Sequence, residues 1–144
     1  MLTVIAGVLA LLCLGAVATG YVLYNRAAAP DRSAPDVVVV NYLQAALVSR
    51  DLQRAKLFTC EGAVPTVDEF GAQVAQRQRE LNVSFSINIE GVAVSKVSPS
   101  EASVVAIIRR SASIDGVHQS LADTWRFDVE DRDGWRVCGG TRVS

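Results

Sequence analysis

The longest uncharged run constrains this chain more than any other feature. From Leu2 to Tyr24 no Asp, Glu, Lys or Arg occurs, and Leu, Val, Ala and Ile dominate. As a helix rising about 1.5 Å per residue the run reaches about 34 Å, enough to cross a hydrocarbon core of about 30 Å with some tilt. Tyr21 and Tyr24 stand at its end, where aromatic rings favour the headgroup level, and Arg26 follows. Residues 1–25 therefore read as a transmembrane anchor. A cleaved signal peptide is one rival: Ala16-Val17-Ala18 supplies small residues before a cut, but no basic residue precedes the apolar run. A lipoprotein box at Cys13 is a weaker one, because Leu12 occupies the position where a small residue is needed.

Charge and cysteine placement pull in opposite directions on orientation. Arg26 and Arg32, just past the anchor, favour the cytoplasmic side. Cys60 and Cys138 form an even pair beyond the anchor, which suits an oxidising compartment. We give the cysteines more weight and expect a single-pass cell (plasma) membrane protein with its C-terminal domain extracytoplasmic. The charges all follow the anchor and nearly cancel to a net −1, so no basic stripe marks a nucleic-acid partner. Residues 26–35 are polar and rich in Ala and Pro, as in a linker, and 36–144 are enough for one domain.

Within that domain the apolar rhythm changes once. Ahead of Asn82 it is helical. A first helix is expected from Asp36 to Ser49, with Val37, Val40, Leu43 or Gln44, and Leu47 on its apolar face. A second spans Asp51 to Phe58, with Leu52, Ala55 and Phe58 on one side. A third runs to Leu81 after an N-cap at Thr66. Beyond Asn82 the period is two: Val83, Phe85, Ile87 and Ile89 alternate with polar residues, and the parity slips at Gly91 as it does at a β-bulge. A second strand, Ala102 to Ile114, is apolar on both faces and so belongs inside the sheet. Asp115-Gly116 signals a tight hairpin, Leu121 to Glu130 a third strand, and Asp133-Gly134 a turn into a fourth, Trp135 to Cys138. Helices first and an antiparallel meander after them make an α+β domain, with the helices packed on a curved four-stranded sheet.

The element order, the length and the closing Asp-Gly-Trp-Arg-Val-Cys segment resemble the nuclear-transport-factor-2-like, cystatin-like cone fold. The nearer resemblance is to small actinobacterial envelope proteins that carry such a domain behind one membrane helix. It covers residue 33 to the end and includes no invariant catalytic signature. It implies a disulfide from Cys60 to Cys138, tying the helical layer to the end of the sheet; two separate buried thiols are the other reading. Two such cysteines and one histidine are too few for a structural zinc site, and no metal or other cofactor is expected.

The fold also implies a concave interior, with Tyr42, Phe85, Ile87, Asp123, Trp125 and Phe127 as its possible pocket. Asp123 breaks its pattern, sharing a strand face with Leu121, Trp125, Phe127 and Val129. Aimed into the cone it would be desolvated, as general acids and bases are, and ketosteroid isomerase places acids there. Close to the strand's start it would instead sit at the open rim in water. Tyr42 would either donate a hydrogen bond into the cavity or pack its ring in the core. No nucleophile stands beside a base in this sequence, so no catalytic residue is assigned. The expected role is a non-enzymatic, membrane-anchored interaction or assembly module of the cell envelope with protein partners. Binding of a small apolar ligand or lipid in the cone is the alternative, and an isomerase- or dehydratase-type enzyme using Asp123 the more distant one.

Overall fold

In a computed structural model of the chain, residues 2–144 are described, apart from the side chains of residues 2, 3 and 24–28. The side chains of Tyr24 and Arg26, read above as interfacial flanks, lie outside those described. The chain divides into two compact units, residues 1–30 and 31–144.

The first unit is the helix α1, Leu2–Ala28. Its segment Val4–Leu23 is long and apolar enough to cross a membrane. Leu11 and Val17 are each 71% exposed, as lipid-facing side chains would be.

The second unit is α2 (Pro35–Leu43), a π-helical turn (Gln44–Val48), α3 (Leu52–Lys56), α4 (Pro65–Leu81) and four strands, β1 (Ser86–Ser98), β2 (Glu101–Ile114), β3 (Val117–Asp131) and β4 (Trp135–Arg142). The strands form one antiparallel sheet in the order β1-β2-β3-β4. The segment read as a linker is divided between the two units. Arg32 already belongs to the second, its carbonyl accepting the Trp135 N–H at 3.0 Å and its guanidinium donating to the Leu57 carbonyl at 3.3 Å.

Helices cover the concave face of the sheet. Val38, Val39, Tyr42 and Leu43 from α2 and Val67, Phe70 and Val74 from α4 meet Val104, Ala106, Ile108, Trp125, Phe127, Val129 and Val137 from the sheet, all of them buried. The phase of α2 differs from the sequence reading. Val38 and Val39 are buried, whereas Val37 and Val40 are only half-buried. Four consecutive valines fit any helical phase, and the aromatic Tyr42 selects the one that buries its ring. The π turn then widens the helix, with Ser49 N–H donating to the Gln44 carbonyl at 2.8 Å, so that Ala45, Ala46 and Leu47 are all buried.

Two further local readings change. α3 is shorter than expected, and Leu52 is 55% exposed, while Asp51 caps the helix by accepting the Arg54 N–H at 3.0 Å. α4 begins at Pro65, and Thr66 is not its cap. The Thr66 hydroxyl donates instead to the Gly140 carbonyl on β4. Proline pre-sets the first turn and takes over the start signal.

The sheet follows its turn and bulge signals, though β1 begins at Ser86, after Val83 and Phe85, and β4 runs past Cys138 to Arg142. The β1–β2 register shifts between Glu90 and Ala93, where Gly91 adopts φ +59°. Asp115 and Gly116, both at positive φ, make the two-residue hairpin. Because pairing runs out to Ile114 opposite Val117, β3 starts four residues earlier than Leu121.

Cys60 and Cys138 are joined in a disulfide, their Cα atoms 4.8 Å apart. A bulge makes this possible: Asp128 pairs with Gly139 and Val129 with Val137, leaving Cys138 as the extra residue on β4. The segment after α3 lies along β4 in parallel. Val137 N–H donates to the Phe58 carbonyl at 2.8 Å, and Cys60 N–H to the Val137 carbonyl at 2.9 Å.

Close packing near β4 gives a first test. A Cβ on Gly140 would lie 2.8 Å from Phe127 Cε1 and 3.4 Å from Val64 Cγ1, and both of those side chains are buried. Gly140→Ala is expected to destabilise the domain by about 1–3 kcal/mol, read as a lower urea midpoint with an unchanged denaturant slope.

Candidate functional site

Two regions collect the side chains with chemical potential, and the first is the concave face. β2 and β3 bring Arg110 opposite Leu121, with Asp123 two residues further along the same face. Asp123 is 9% exposed and is the seventh residue of β3, the first buried one along it. Arg110 Nη2 donates to its Oδ2 at 2.8 Å, and Arg142 Nη1 lies 3.6 Å from its Oδ1. Arg110 also lies over the Phe70 ring, 5.0 Å from the centroid. Phe70 meets Trp125 edge-on at 5.3 Å between centroids, and Trp125 stacks on Phe127 at 6.1 Å. The concave face is thus occupied by an aromatic row closed at one end by an ion pair.

The residues expected to share one pocket are dispersed. Phe127 and Tyr42 are core, at 0% and 1% exposure. Trp125 touches a cavity of about 210 Å³ beside Phe70 and Arg142. Phe85 touches another, about 360 Å³, with Arg110 and Leu121. Ile87 lines a third, described below. Arg110 drew no functional reading from the sequence. Its signal was present, since an arginine on an otherwise apolar strand face needs a carboxylate partner, and Asp123 is the break in the facing strand.

Tyr42 Oη is buried without a hydrogen-bond partner among the described residues, as are Trp125 Nε1 and Arg110 Nε. Burial, and secondarily the charge of Asp68, push the Tyr42 phenol well above its ordinary value near 10. The folded state therefore holds this proton where the unfolded chain releases it, so the contribution of Tyr42 to stability is constant below about pH 10 and falls as pH rises further. Tyr42→Phe is expected to remove that alkaline decline. At pH 7 it should also stabilise the domain by about 1 kcal/mol, since it deletes an orphaned hydroxyl; paired thermal melts at pH 7 and pH 10.5 check both.

The second region lies on the helical side. A trough of about 330 Å³ runs between the π turn, α4 and β1, lined by Ala46, Leu47, Gly71, Ala72, Ala75 and Ile87 among others. At one end it reaches Arg50, a non-glycine residue at φ +54° just after the π turn. The Arg50 guanidinium donates to Gln78 Oε1. Sequence reading passed over this region because its lining is small and apolar, which helical periodicity reports only as core. Cys60, Cys138 and Glu130 also approach one another within 4.8 Å. With both sulfurs in the disulfide no thiolate remains there to bind a metal.

No protein-family model and no curated protein matches the chain. Solved structures do. A nuclear-transport-factor-2-like protein with a cystatin-like fold from Novosphingobium aromaticivorans is 16% identical, with a TM-score of 0.55, over 88% of this chain and 85% of its own. A ketosteroid isomerase-like protein from Erwinia carotovora atroseptica is 16% identical, with a TM-score of 0.51, over 78% of this chain and 96% of its own. A putative aromatic ring hydroxylase, also from Novosphingobium aromaticivorans, is 18% identical, with a TM-score of 0.53, over 78% and 87%. At these identities the likeness is one of fold: the second unit has the nuclear-transport-factor-2-like, cystatin-like architecture.

Proposed function

We propose that the chain is a single-pass protein of the plasma membrane whose domain lies outside the cytoplasm and works, without catalysis, as an interaction or assembly module of the cell envelope. The observation that carries this reading is the set of side chains that the concave face already engages with one another. Phe70, Trp125 and Phe127 pack ring against ring there, and Asp123 is engaged by two arginines. Both carboxylate oxygens of Asp123 face arginine nitrogens, and Tyr42 donates no hydrogen bond to them. What the domain then offers is surface. Val117 and Leu121, on one side of the exposed first part of β3, are 59% and 65% exposed, an apolar surface that partner contact would cover. The apolar span Val4–Leu23 and the disulfide supply the arguments for membrane attachment and for an oxidising compartment.

The test is affinity capture of the full-length chain from its native membrane in mild detergent, with a Leu121→Asp variant alongside. A stoichiometric membrane-protein partner that the variant loses supports the module. A copurifying small apolar ligand with no protein partner replaces it by the carrier reading. A non-reducing mass measurement of the same material checks the compartment, and free thiols at both Cys60 and Cys138 would overturn the outside placement.

A further inference from the structure

The trough along α4 does not end at Arg50. A second cavity of about 300 Å³ adjoins it, and the two share Arg50 and Ala75 as walls. Their linings differ in kind. The first is mostly small and aliphatic, with Asp68 at the end nearer the start of α4. The second is polar, lined by Arg79, Gln78, Asn82 and Ser84 as well as Arg50. Asp68, Ala72, Ala75 and Arg79 recur every three or four residues, so one side of α4 borders the whole length, about 16 Å from Asp68 to Arg79.

Charge gives this channel a direction. Arg50 and Arg79 form no ion pair among the described residues, as is true also of Arg32, Arg54, Arg126 and Arg136, but only Arg50 and Arg79 border this channel. Two cations without carboxylates thus border the polar basin. The negative end of α4 is not bare there: Asn82 N–H donates to the Arg79 carbonyl at 3.3 Å and Val83 N–H to the Gln78 carbonyl at 3.2 Å. Asp68 stands at the opposite end and repels an anion from it. An occupant therefore needs a slender apolar body, an anionic head at the Arg50–Arg79 end, and groups on that head to meet the amides of Gln78 and Asn82 and the hydroxyl of Ser84.

We propose that this two-part channel binds a single-chain anionic phospholipid, its acyl chain in the trough along α4 and its phosphate between Arg50 and Arg79. The site runs along α4 and meets the sheet at Ile87, on the face that Arg110 shares, apart from the row of Phe70, Trp125 and Phe127. It stands independently of the interaction-module reading, because it rests on the two cavities and the two unpaired arginines alone. Guanidinium groups suit a phosphate in that position, since each can donate two hydrogen bonds in a fixed fork.

The test uses the full-length chain in phosphatidylcholine nanodiscs and a lysophosphatidic acid carrying a photoreactive group on its acyl chain, with adducts mapped by mass spectrometry. Adducts are expected on the α4 peptide spanning Gly71 to Ala75, and non-photoreactive lysophosphatidic acid should compete on the order of tenfold better than the matching uncharged monoacylglycerol. Ala72→Trp obstructs the trough from an exposed position and should abolish labelling, while a native thermal melt shows that the domain is folded. Arg79→Glu should erase the preference for the phosphate while leaving labelling by the monoacylglycerol probe. Adducts confined to α1, or labelling that Ala72→Trp leaves unchanged, would overturn the site. Equal competition by the phosphate and uncharged lipids would overturn the anionic head. Loss of a captured protein partner would leave it untouched, so the two readings fail separately.

Discussion

Replacing both Cys60 and Cys138 by alanine is expected to lower the stability of the domain by about 4 kcal/mol, the largest effect of any change considered. The bridge closes a loop of 78 residues, which contains α4, β1, β2, β3 and the start of β4. In the chain-entropy description a loop of that length restricts the unfolded ensemble by about 4.5 kcal/mol, a figure that native-state strain or residual unfolded structure reduces. The native structure gives the bond little else to do. Phe58, Thr59 and Cys60 are already aligned on β4 by hydrogen bonds at Val137, and Phe58 is 2% exposed, so the segment keeps its place when the sulfurs are gone. The double variant should therefore fold to the same structure with a melting temperature lower by more than about 10 °C, and its backbone amide spectrum should change only around Cys60 and Cys138. A fall of less than about 1 kcal/mol would mean that the unfolded chain already holds these two segments together.

How much of this was legible in the sequence depends on whether a signal was local. The switch at Asn82 from helical to alternating spacing set the division into helices and sheet, because burying one face of either element requires that period. Gly91, Asp115-Gly116 and Asp133-Gly134 set the bulge and the turns, because few other residues tolerate positive φ there. The misreadings arose where tertiary contact overrode a local cue. The valines from Val37 to Val40 carry no phase of their own, and a π turn has no sequence signature, so the buried face of α2 emerged only from packing against the sheet. Thr66 spells a helix cap, yet its hydroxyl is used by β4. Asp123 was read as close to the strand's start because β3 was begun at Leu121; it is the seventh residue and the first buried one, and its partner is thirteen positions away on another strand. The channel along α4 was invisible for a plainer reason. Small apolar residues look the same in sequence whether they adjoin a neighbour or a void.

The Arg110–Asp123 pair should divide a structural role for Asp123 from a chemical one. Asp123→Ala removes the carboxylate from a site where its side chain is 13% exposed and leaves Arg110, 22% exposed, over the Phe70 ring without its nearest counter-charge. Breaking a buried pair from one side costs several kcal/mol, because the remaining charge stays desolvated, and the partial exposure of Arg110 discounts that to about 2–3 kcal/mol. Arg142 recovers little of it, being half-exposed and 3.6 Å away. Removing both charges should undo the damage: Asp123→Leu with Arg110→Met is expected to fall within about 1 kcal/mol of the starting protein, since apolar side chains of similar volume continue the row of Phe70, Trp125 and Phe127. Urea titrations of the two single variants and the double one give the coupling directly. A double variant as unstable as the sum of the singles would show that the two charges are held by other contacts. A double variant restored in stability that still captures its partner would place Asp123 among the residues that fill the cone, and outside those that act from it.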